Sequence, residues 1–589
     1  MKVILSTLNS KFIHSCLAIR YLQGYVEDLI HIDIKEYTIN QNIDFIASDL
    51  YKLGPEIIGF STYIWNLTET LKICKILKTV NPKIKIILGG PEVSFDGEKI
   101  LEDNKFIDFI IYGEGEETFR EFIKKTIDGN EDYDDIEGLI YSQGNKIIKN
   151  PPRPLIKDLN IIPSPYKNIG DEFENKIVYF ESSRGCPFNC EFCLSSTIKG
   201  VRYFEINRVK EELNNLIEGK VRQVKFVDRT FNANKNYAME IMSFIINKNP
   251  KDINFHFEVT AHLLDREMLN FLSGVKEGLF QFEVGVQSTN LDTIDAIGRT
   301  TDFEKLRDIT KEIKSHKNIH QHLDLIAGLP YEGYDSFRKS FNDVYEIRPE
   351  KIQLGFLKLL KGSGLRKDQE KYGFKYLDEP PYEVLENDFI KFKEIIKLKT
   401  IEDLVERYYN EGYFEHALEF IVHNHYTSPF DFYEDFSYYW EFKNYHKVSN
   451  SRIRLYEILI EFYKHKGFNN MVVFNELLRF DFIKNNKGSR IPNGILGFKE
   501  DIKQSIIHEI LKNEKVMEDC LEEYKELPTK KIIQDIAVET FSVNIFKIIE
   551  DGYNSTDYTI RTDILFVYQK EVINRCKTYD ISNIIKEMI

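Results

Sequence analysis

The sequence predicts an α/β protein with an N-terminal doubly wound parallel sheet, a central partial barrel of six strand–helix units, and a mostly helical C-terminal domain. Three observations carry this. Strand-like and helix-like patterns alternate over residues 1 to about 125. The alternation restarts near residue 175. Beyond about 370 it gives way to helical spacing rich in Lys, Tyr and Phe. Alternating strands and helices imply parallel pairing through right-handed crossovers.

The first part reads as strands VILSTLN, HIDIKEYTI, IIGFSTYIW, KIKIILGG and DFIIYGEGE. Amphipathic stretches such as LTETLKICKILKTV lie between them, and IEGLIYSQGNKIIKN reads as a closing hairpin. Together these make a domain over 1–149. Segment 150–170 has five prolines among polar residues and reads as an extended linker. A second domain over 171–370 carries strands IVYFESS, QVKFVDRTF, NFHFEVTAH, LFQFEVGVQS, HQHLDLIAGLP and KIQLGFLKLL. Six units in so short a span suit an incomplete barrel, whose chemistry belongs on loops at the carboxyl ends of its strands. In 371–589, EVLENDFIKFKEIIKL, SRIRLYEILIEFYKHK and KEDIKQSIIHEILKNEK read as helices, with a hairpin near DILFVYQKEVINR.

At 589 residues the chain exceeds one core, and 42% hydrophobic with 29% charged residues is an ordinary soluble balance. A net charge of −15 argues against a general phosphate-binding surface, so no nucleic acid is expected. No stretch approaches the roughly 20 apolar residues of a membrane span. The opening MKVILSTLNSKF lacks a secretion signal. Of seven cysteines, four are isolated and three crowd into one loop. That is the pattern of a reducing cytoplasm with one dedicated thiolate site.

The loop is SSRGCPFNCEFC, residues 182–193, spaced CxxxCxxC through Cys186, Cys190 and Cys193. Structural zinc needs four ligands, yet no histidine lies between His31 and His256 and no second CxxC exists. Ferredoxin-type clusters take four thiolates at other spacings. Three thiolates on a four-iron cluster leave one iron open, which is a reactive position.

CxxxCxxC with Phe192 before the last cysteine, on a strand-to-helix loop opening a partial barrel, resembles the radical S-adenosylmethionine (SAM) superfamily. The resemblance implies a 4Fe-4S cluster on Cys186, Cys190 and Cys193. SAM is then cleaved reductively to a 5′-deoxyadenosyl radical. It further implies that Phe192, Glu258 and Gln287 help to hold SAM. Arg299 would fork its carboxylate, and Asp324 would accept from its ribose. The usual glycine-rich motif of the second strand is replaced by FVDRTFNAN, a form similar to the cobalamin-associated branch, with Asp228 and Asn232 lining the site.

FSTYIWN, LGGPEVSF and YGEGEETF put small or polar residues at strand exits, where missing side chains allow close backbone approach. Beside such a barrel they resemble the cobalamin-binding domain of class B radical SAM proteins. That implies cobalamin contacts at Ser61, Thr62, Gly89, Gly90, Gly113 and Glu114. No DxHxxG motif is present, and His14 reads as a capping or surface residue, so cobalamin would lack a histidine lower ligand. His416, His423 and His425 read as a solvated helix end, and the aromatic segment 430–447 as core and rim.

The resemblance implies methyl transfer to an unactivated carbon, with a small flavodoxin- or ferredoxin-type electron donor. Cyclisation or rearrangement without methyl transfer is the runner-up. Methylthiolation requires a second cysteine triad near the N-terminus, where only Cys16 and Cys74 occur. A non-catalytic cobalamin or redox sensor is the reading of another class. Gln287, Arg299 and Asp324 weigh against it, because a sensor has no need of a SAM-shaped site.

Overall fold

The computed structural model describes residues 1–144, 146–167, 169–170, 173–495, 504–554, 560–569 and 575–588. The chain divides into two compact units. One comprises Met1–Ser336 with Gly355–Phe392, and the other Phe337–Leu354 with Lys393–Ile589.

The first unit opens with strands β1 (Val3–Asn9), β2 (Ile32–Thr38), β3 (Ile57–Ser61), β4 (Lys85–Gly89), β5 (Phe109–Ile111), β6 (Leu139–Gln143) and β7 (Lys146–Lys149). They form one sheet in the order β2-β1-β3-β4-β5-β6-β7, parallel through β5 and closed by the antiparallel β6–β7 hairpin. Period-2 alternation divides its apolar residues between two cores. Ile4, Ile58, Phe60, Ile86 and Leu88 enter one, and Val3, Leu5, Ile57, Ile87 and Phe109 the other. The central strands are therefore apolar on both faces, as a helix-covered parallel sheet requires. Asn42 caps the helix Ile43–Lys52, accepting from the amides of Asp44 at 2.8 Å and Phe45 at 3.1 Å.

The second sheet comprises β8 (Ile177–Phe180), β11 (Gln223–Phe226), β12 (Asn254–Glu258), β13 (Phe280–Gln287), β14 (His320–Ala327) and β15 (Lys351–Phe356). Its order is β15-β14-β13-β12-β11-β8. Val178, Phe180, Val224, Phe226, Phe255, Phe257, Phe280 and Phe282 are wholly buried on one face. The alternate positions carry Tyr179, Lys225, His256, Glu258, Glu283, His322 and Asp324, so the inner face is polar and charged. Strands β9 (Ser183–Cys186) and β10 (Gly200–Tyr203) pair antiparallel as a separate two-stranded sheet. The sequence reading had no such hairpin, because its strands are four residues long and rich in Gly and Arg.

The second unit is helical, with a three-stranded antiparallel sheet of Ile536–Phe541, Thr562–Gln569 and Arg575–Asp580. The helix Pro429–Phe442 buries Phe432, Tyr433, Phe436 and Trp440, so this aromatic segment is core. The helix Met471–Asn485 buries Glu476, Arg479 and Asp481 as well as its apolar residues. Both Asp481 carboxylate oxygens accept backbone N–H groups of His416 and Ala417, satisfying the start of the helix Glu415–His425.

Three expectations are corrected. Segment 150–170 is not a free linker: Ile156, Leu159, Ile162 and Tyr166 are buried, because apolar residues between the prolines find partners once both sheets exist. The stretch read as a helix from Glu383 begins instead with the strand Val384–Glu386, and the helix starts at Phe392. His416 is not solvated but buried, sharing a 3.0 Å hydrogen bond with the Tyr553 hydroxyl. The expected helix KEDIKQSIIHEILKNEK and hairpin DILFVYQKEVINR both lie partly outside the described residues.

Candidate functional site

The cysteine loop leaves the second sheet at the carboxyl end of β8 and runs through the β9–β10 hairpin. Gly185 has φ +101°, and a Cβ there would strike the carbonyl of Gly200 across the hairpin, so only glycine closes it this tightly. Asp228, on the loop after β11, accepts from the Ser182 amide (3.0 Å), the Ser182 hydroxyl (2.6 Å) and the Ser183 hydroxyl (2.5 Å). It thus fixes the turn into β9. Burial raises its pKa against these donors. Downstream, the Glu191 amide donates to the Ile297 carbonyl at 3.0 Å, and the Leu365 amide to the Glu191 carbonyl at 2.9 Å. Gly298, at φ +66°, lets its loop approach the Asn189 carbonyl.

Cys190 is buried, while Cys186 and Cys193 are partly accessible. Cys186 lies 3.5 Å from the Thr230 hydroxyl, and Cys193 accepts the Ser195 amide at 3.4 Å. Burial raises the Cys190 thiol against the opposing pull of Arg299. Among the described residues no three His, Cys, Asp or Glu side chains are arranged to hold one metal ion. A multi-iron cluster is a larger body whose thiolates stand further apart. Phe192 packs on the apolar cluster of Ile297, Leu329 and Leu357.

Arg299 joins this loop to β13: its guanidinium donates to Cys190 Sγ at 3.7 Å and to the Gly285 carbonyl at 2.8 Å. A β-bulge between Gly285 and Gln287 re-aims the strand end, and Gln287 takes φ +70°. A Cβ at Gly285 would meet the far end of the Gln287 side chain, so glycine here leaves the amide free to lie along the strand. Gln287 Oε1 and Asp324 Oδ1 are both buried without a hydrogen-bond partner. Unpaired buried polar atoms are costly, and their presence beside the thiolates fits a site completed by a polar ligand. Burial, then Glu283 and Glu258, push the Asp324 carboxyl well above the usual range. Burial likewise raises Glu258. Asn232 exchanges hydrogen bonds with the Thr260 backbone at 3.0 and 2.9 Å, tying the loops after β11 and β12 together.

At the first sheet, Ser61, Thr62, Gly89, Gly90, Gly113 and Glu114 occupy the exits of the adjacent strands β3, β4 and β5. The Thr62 amide and hydroxyl both donate to the Gly89 carbonyl at 2.7 Å. Gly90 has φ +111°, and a Cβ there would meet the Thr62 carbonyl. Glu114 differs from its neighbours, for its carboxylate is engaged by Arg202, Arg184 and the Ile156 amide. The His14 ring pairs with the Tyr179 hydroxyl of β8 at 2.8 Å, while its backbone carbonyl accepts from the Asn9 side chain at the exit of β1 at 2.9 Å.

Sequence reasoning missed Arg184 and Arg202, which pair with Glu114, Glu116 and Glu181, which pair with Arg184, and the inner-face set Lys225, His256 and Glu283. Glu283 lies 3.0 Å from Lys225 Nζ and 2.8 Å from His256 Nε2. A signal existed in VKF, FHFE and FQFE, where charged residues alternate with apolar ones inside a parallel sheet that ordinarily reads as continuous apolar runs.

Comparison with known proteins agrees with this architecture. Residues 3–123 match the B12 binding domain, 180–344 the radical SAM superfamily, and 370–565 a protein of unknown function, DUF4080. The uncharacterized methyltransferase PH0819 of Pyrococcus horikoshii is 30% identical over 322 residues, 53% of this chain and 66% of that protein. The cobalamin-dependent radical SAM methyltransferase TokK of Streptomyces tokunonensis is 26% identical over 362 residues, 56% of this chain and 51% of that one. These matches span roughly half to two thirds of the relatives' own length.

Two solved structures share the fold. The cobalamin-dependent SAM radical enzyme OxsB with aqua-cobalamin aligns with TM-score 0.58 at 14% identity, over 82% of this chain and 80% of that one. The radical SAM methyltransferase TsrM of Kitasatospora setae, with cobalamin and a 4Fe-4S cluster bound, aligns with TM-score 0.55 at 15% identity, over 64% and 82%. The chain belongs to the radical SAM superfamily, carries a B12-binding domain ahead of its barrel, and continues into a DUF4080 region.

Proposed function

We propose that this protein is a cobalamin-dependent radical SAM enzyme that transfers a methyl group to an unactivated carbon. The observation that carries this reading is the grouping of three clustered cysteines, Arg299, and the unpaired buried oxygens of Gln287 and Asp324 at one end of one sheet. Cys186, Cys190 and Cys193 would hold the 4Fe-4S cluster. Arg299 would fork the methionine carboxylate of SAM, with Gln287, Glu258 and Asp324 completing the polar contacts and Phe192 packing alongside. Ser61, Thr62, Gly89, Gly90 and Gly113 would line the cobalamin edge of the first sheet. When bound, the cluster supplies an electron to cleave SAM and cobalamin supplies a transferable methyl group.

The chain's own residues orient and enclose. Arg299 is held by the Gly285 carbonyl so that one guanidinium edge stays directed at the thiolate loop. The bulge presents Gln287 from a strand rather than from a mobile loop, which favours precise positioning. The wall of buried phenylalanines behind the inner face keeps water from reaching it through the sheet. The electron would come from a small flavodoxin- or ferredoxin-type donor in the cytoplasm. Among the described residues no helix is long and apolar enough to cross a membrane. A second reading, radical cyclisation without methyl transfer, is favoured by the 23% identity over 351 residues to an anaerobic magnesium-protoporphyrin IX monomethyl ester cyclase of Rubrivivax gelatinosus.

The test is anaerobic reconstitution with iron and sulfide, then incubation with SAM and dithionite, with and without cobalamin. Wild type should form 5′-deoxyadenosine, detected by mass spectrometry, and the Cys186→Ala, Cys190→Ala, Cys193→Ala variant should not. Accompanying S-adenosylhomocysteine supports methyl transfer, and its absence supports cyclisation. A fully loaded cluster that neither binds nor cleaves SAM overturns the enzyme reading in favour of a sensor.

A further inference from the structure

The β9–β10 hairpin that carries Cys186 hydrogen-bonds to neither main sheet, so no strand ladder fixes its place. Side chains must do so. On the barrel side Asp228 holds Ser182 and Ser183. On the other side the hairpin offers two arginines, Arg184 and Arg202, at directly opposed cross-strand positions. Like charges so placed repel unless an anion lies between them. That anion is Glu114 of the GEGE turn, whose carboxylate takes Arg202 through both oxygens at 2.7 and 3.0 Å and Arg184 at 3.4 Å.

Arg184 also reaches Glu116 at 2.6 Å and Glu181 at 3.0 Å, and lies 5.5 Å above the ring of Tyr21. The side chains of Arg184, Arg202, Glu114 and Glu116 are 13%, 18%, 12% and 7% exposed, so solvent screens the cluster little. Gly113, at φ +81°, gives the turn the backbone that points Glu114 toward the hairpin.

We infer that Glu114 is a positioning residue: it clamps Arg184 and Arg202 and thereby sets the cysteine hairpin against the first sheet. Glu114 then acts between the two cofactor regions rather than as a cobalamin contact. The inference rests on the reading above only in taking the hairpin as the seat of the cluster. A bidentate carboxylate–guanidinium fork suits the task, because it fixes direction as well as distance. Removing Glu114 leaves the opposed Arg184 and Arg202 without the anion between them, and removing Arg202 leaves Glu114 only its longer 3.4 Å contact with Arg184. Either way the hairpin should loosen even where the domains still fold.

The test uses the full chain as Glu114→Gln, Arg202→Gln, their double variant and Arg202→Lys. In metal-free protein, hydrogen exchange at residues 183–203 should quicken by about tenfold or more in Glu114→Gln and in Arg202→Gln. The double variant should be no worse than either single one, since both break the same fork. Arg202→Lys, which keeps charge but loses the fork, should fall between and serves if a Gln variant fails to fold. Hydroxocobalamin affinity, read by absorbance titration, should change by less than about threefold in Glu114→Gln. After reconstitution, the change that SAM causes in the electron paramagnetic resonance spectrum of the reduced cluster should weaken in step with hairpin exchange.

Wild-type exchange at 183–203 in Glu114→Gln overturns the clamp. Joined to a tenfold or greater loss of cobalamin affinity, it would make Glu114 a cobalamin contact instead. If wild type takes up no cluster, the functional reading fails while the exchange data still decide the clamp.

Discussion

The two parallel sheets of the first unit follow the same chain logic but spend their faces differently. In the first, alternate residues enter two separate apolar cores, and only the strand exits are left for a ligand. In the second, one face is packed with phenylalanine and the other carries Lys225, His256, Glu258, Glu283, His322 and Asp324. A barrel whose interior is filled for stability shows layers of branched apolar side chains instead. The difference teaches that the second sheet gives up one core for a polar interior, held together by ion pairs where the first is held by packing.

The largest effect should come from the thiolates. The triple Cys→Ala variant should lose all reconstituted iron, measured per chain, while titration of the first sheet with hydroxocobalamin stays as in wild type. Loss of both together would mean that the two sheets do not serve separate ligands. Next, Glu283→Gln leaves Lys225 without its partly buried counter-charge and should cost about 2 kcal/mol, between the values for exposed and buried pairs, seen as quickened hydrogen exchange across β11–β13. Exchange unchanged there would show the polar face to be solvated rather than load-sharing. Gly90→Ala in the first sheet should cost a similar ~2 kcal/mol through its positive φ and the Thr62 carbonyl, with exchange confined to β3 and β4.

Acid should also separate the sheets. Glu283 is held below its ordinary pKa: burial opposes this, but His256 and Lys225 prevail. His256 is lowered as well, chiefly by burial. A depressed pKa gives stability that is present above the unfolded value and lost as pH falls through the folded one. The part of second-sheet protection that the His256–Glu283 pair supplies should therefore begin to drop below pH 6.5 and fall further below 4.5, ahead of the first sheet. It is read as the exchange difference between wild type and His256→Gln, because the raised Asp324 and Glu258 act in the opposite direction. Equal losses in both, followed by pH-jump exchange, would remove the contrast. The smallest effect is Ile58→Val in the first sheet, about 1 kcal/mol by thermal melting, because a wholly buried methyl group is lost without exposing charge.

Much of this was legible beforehand. Each strand expected in the two parallel sheets is present, because runs such as KIKIILGG and LFQFEVGVQS leave few alternatives to a buried parallel strand. The cysteine spacing pointed to the superfamily that residues 180–344 match, while the bond of Arg299 to Cys190 Sγ joins two segments that the sequence keeps 109 residues apart. The β9–β10 hairpin was illegible because glycine and arginine give no strand signal, and its pairing depends on Gly185 admitting the Gly200 carbonyl. Segment 150–170 misled because prolines announce extension but not whether the residues between them find a core.

The sequence by itself determined the succession of the domains, the parallel sheets and the thiolate triad, since each follows from local periodicity or from spacing along the chain. Tertiary structure alone decided which charges meet. Glu114 and Arg202 are 88 residues apart, as are no pair that local pattern could join, and Lys225 and Glu283 are 58 apart. Ion pairing is set by distance and burial in space, and a sequence carries neither until the sheets have formed.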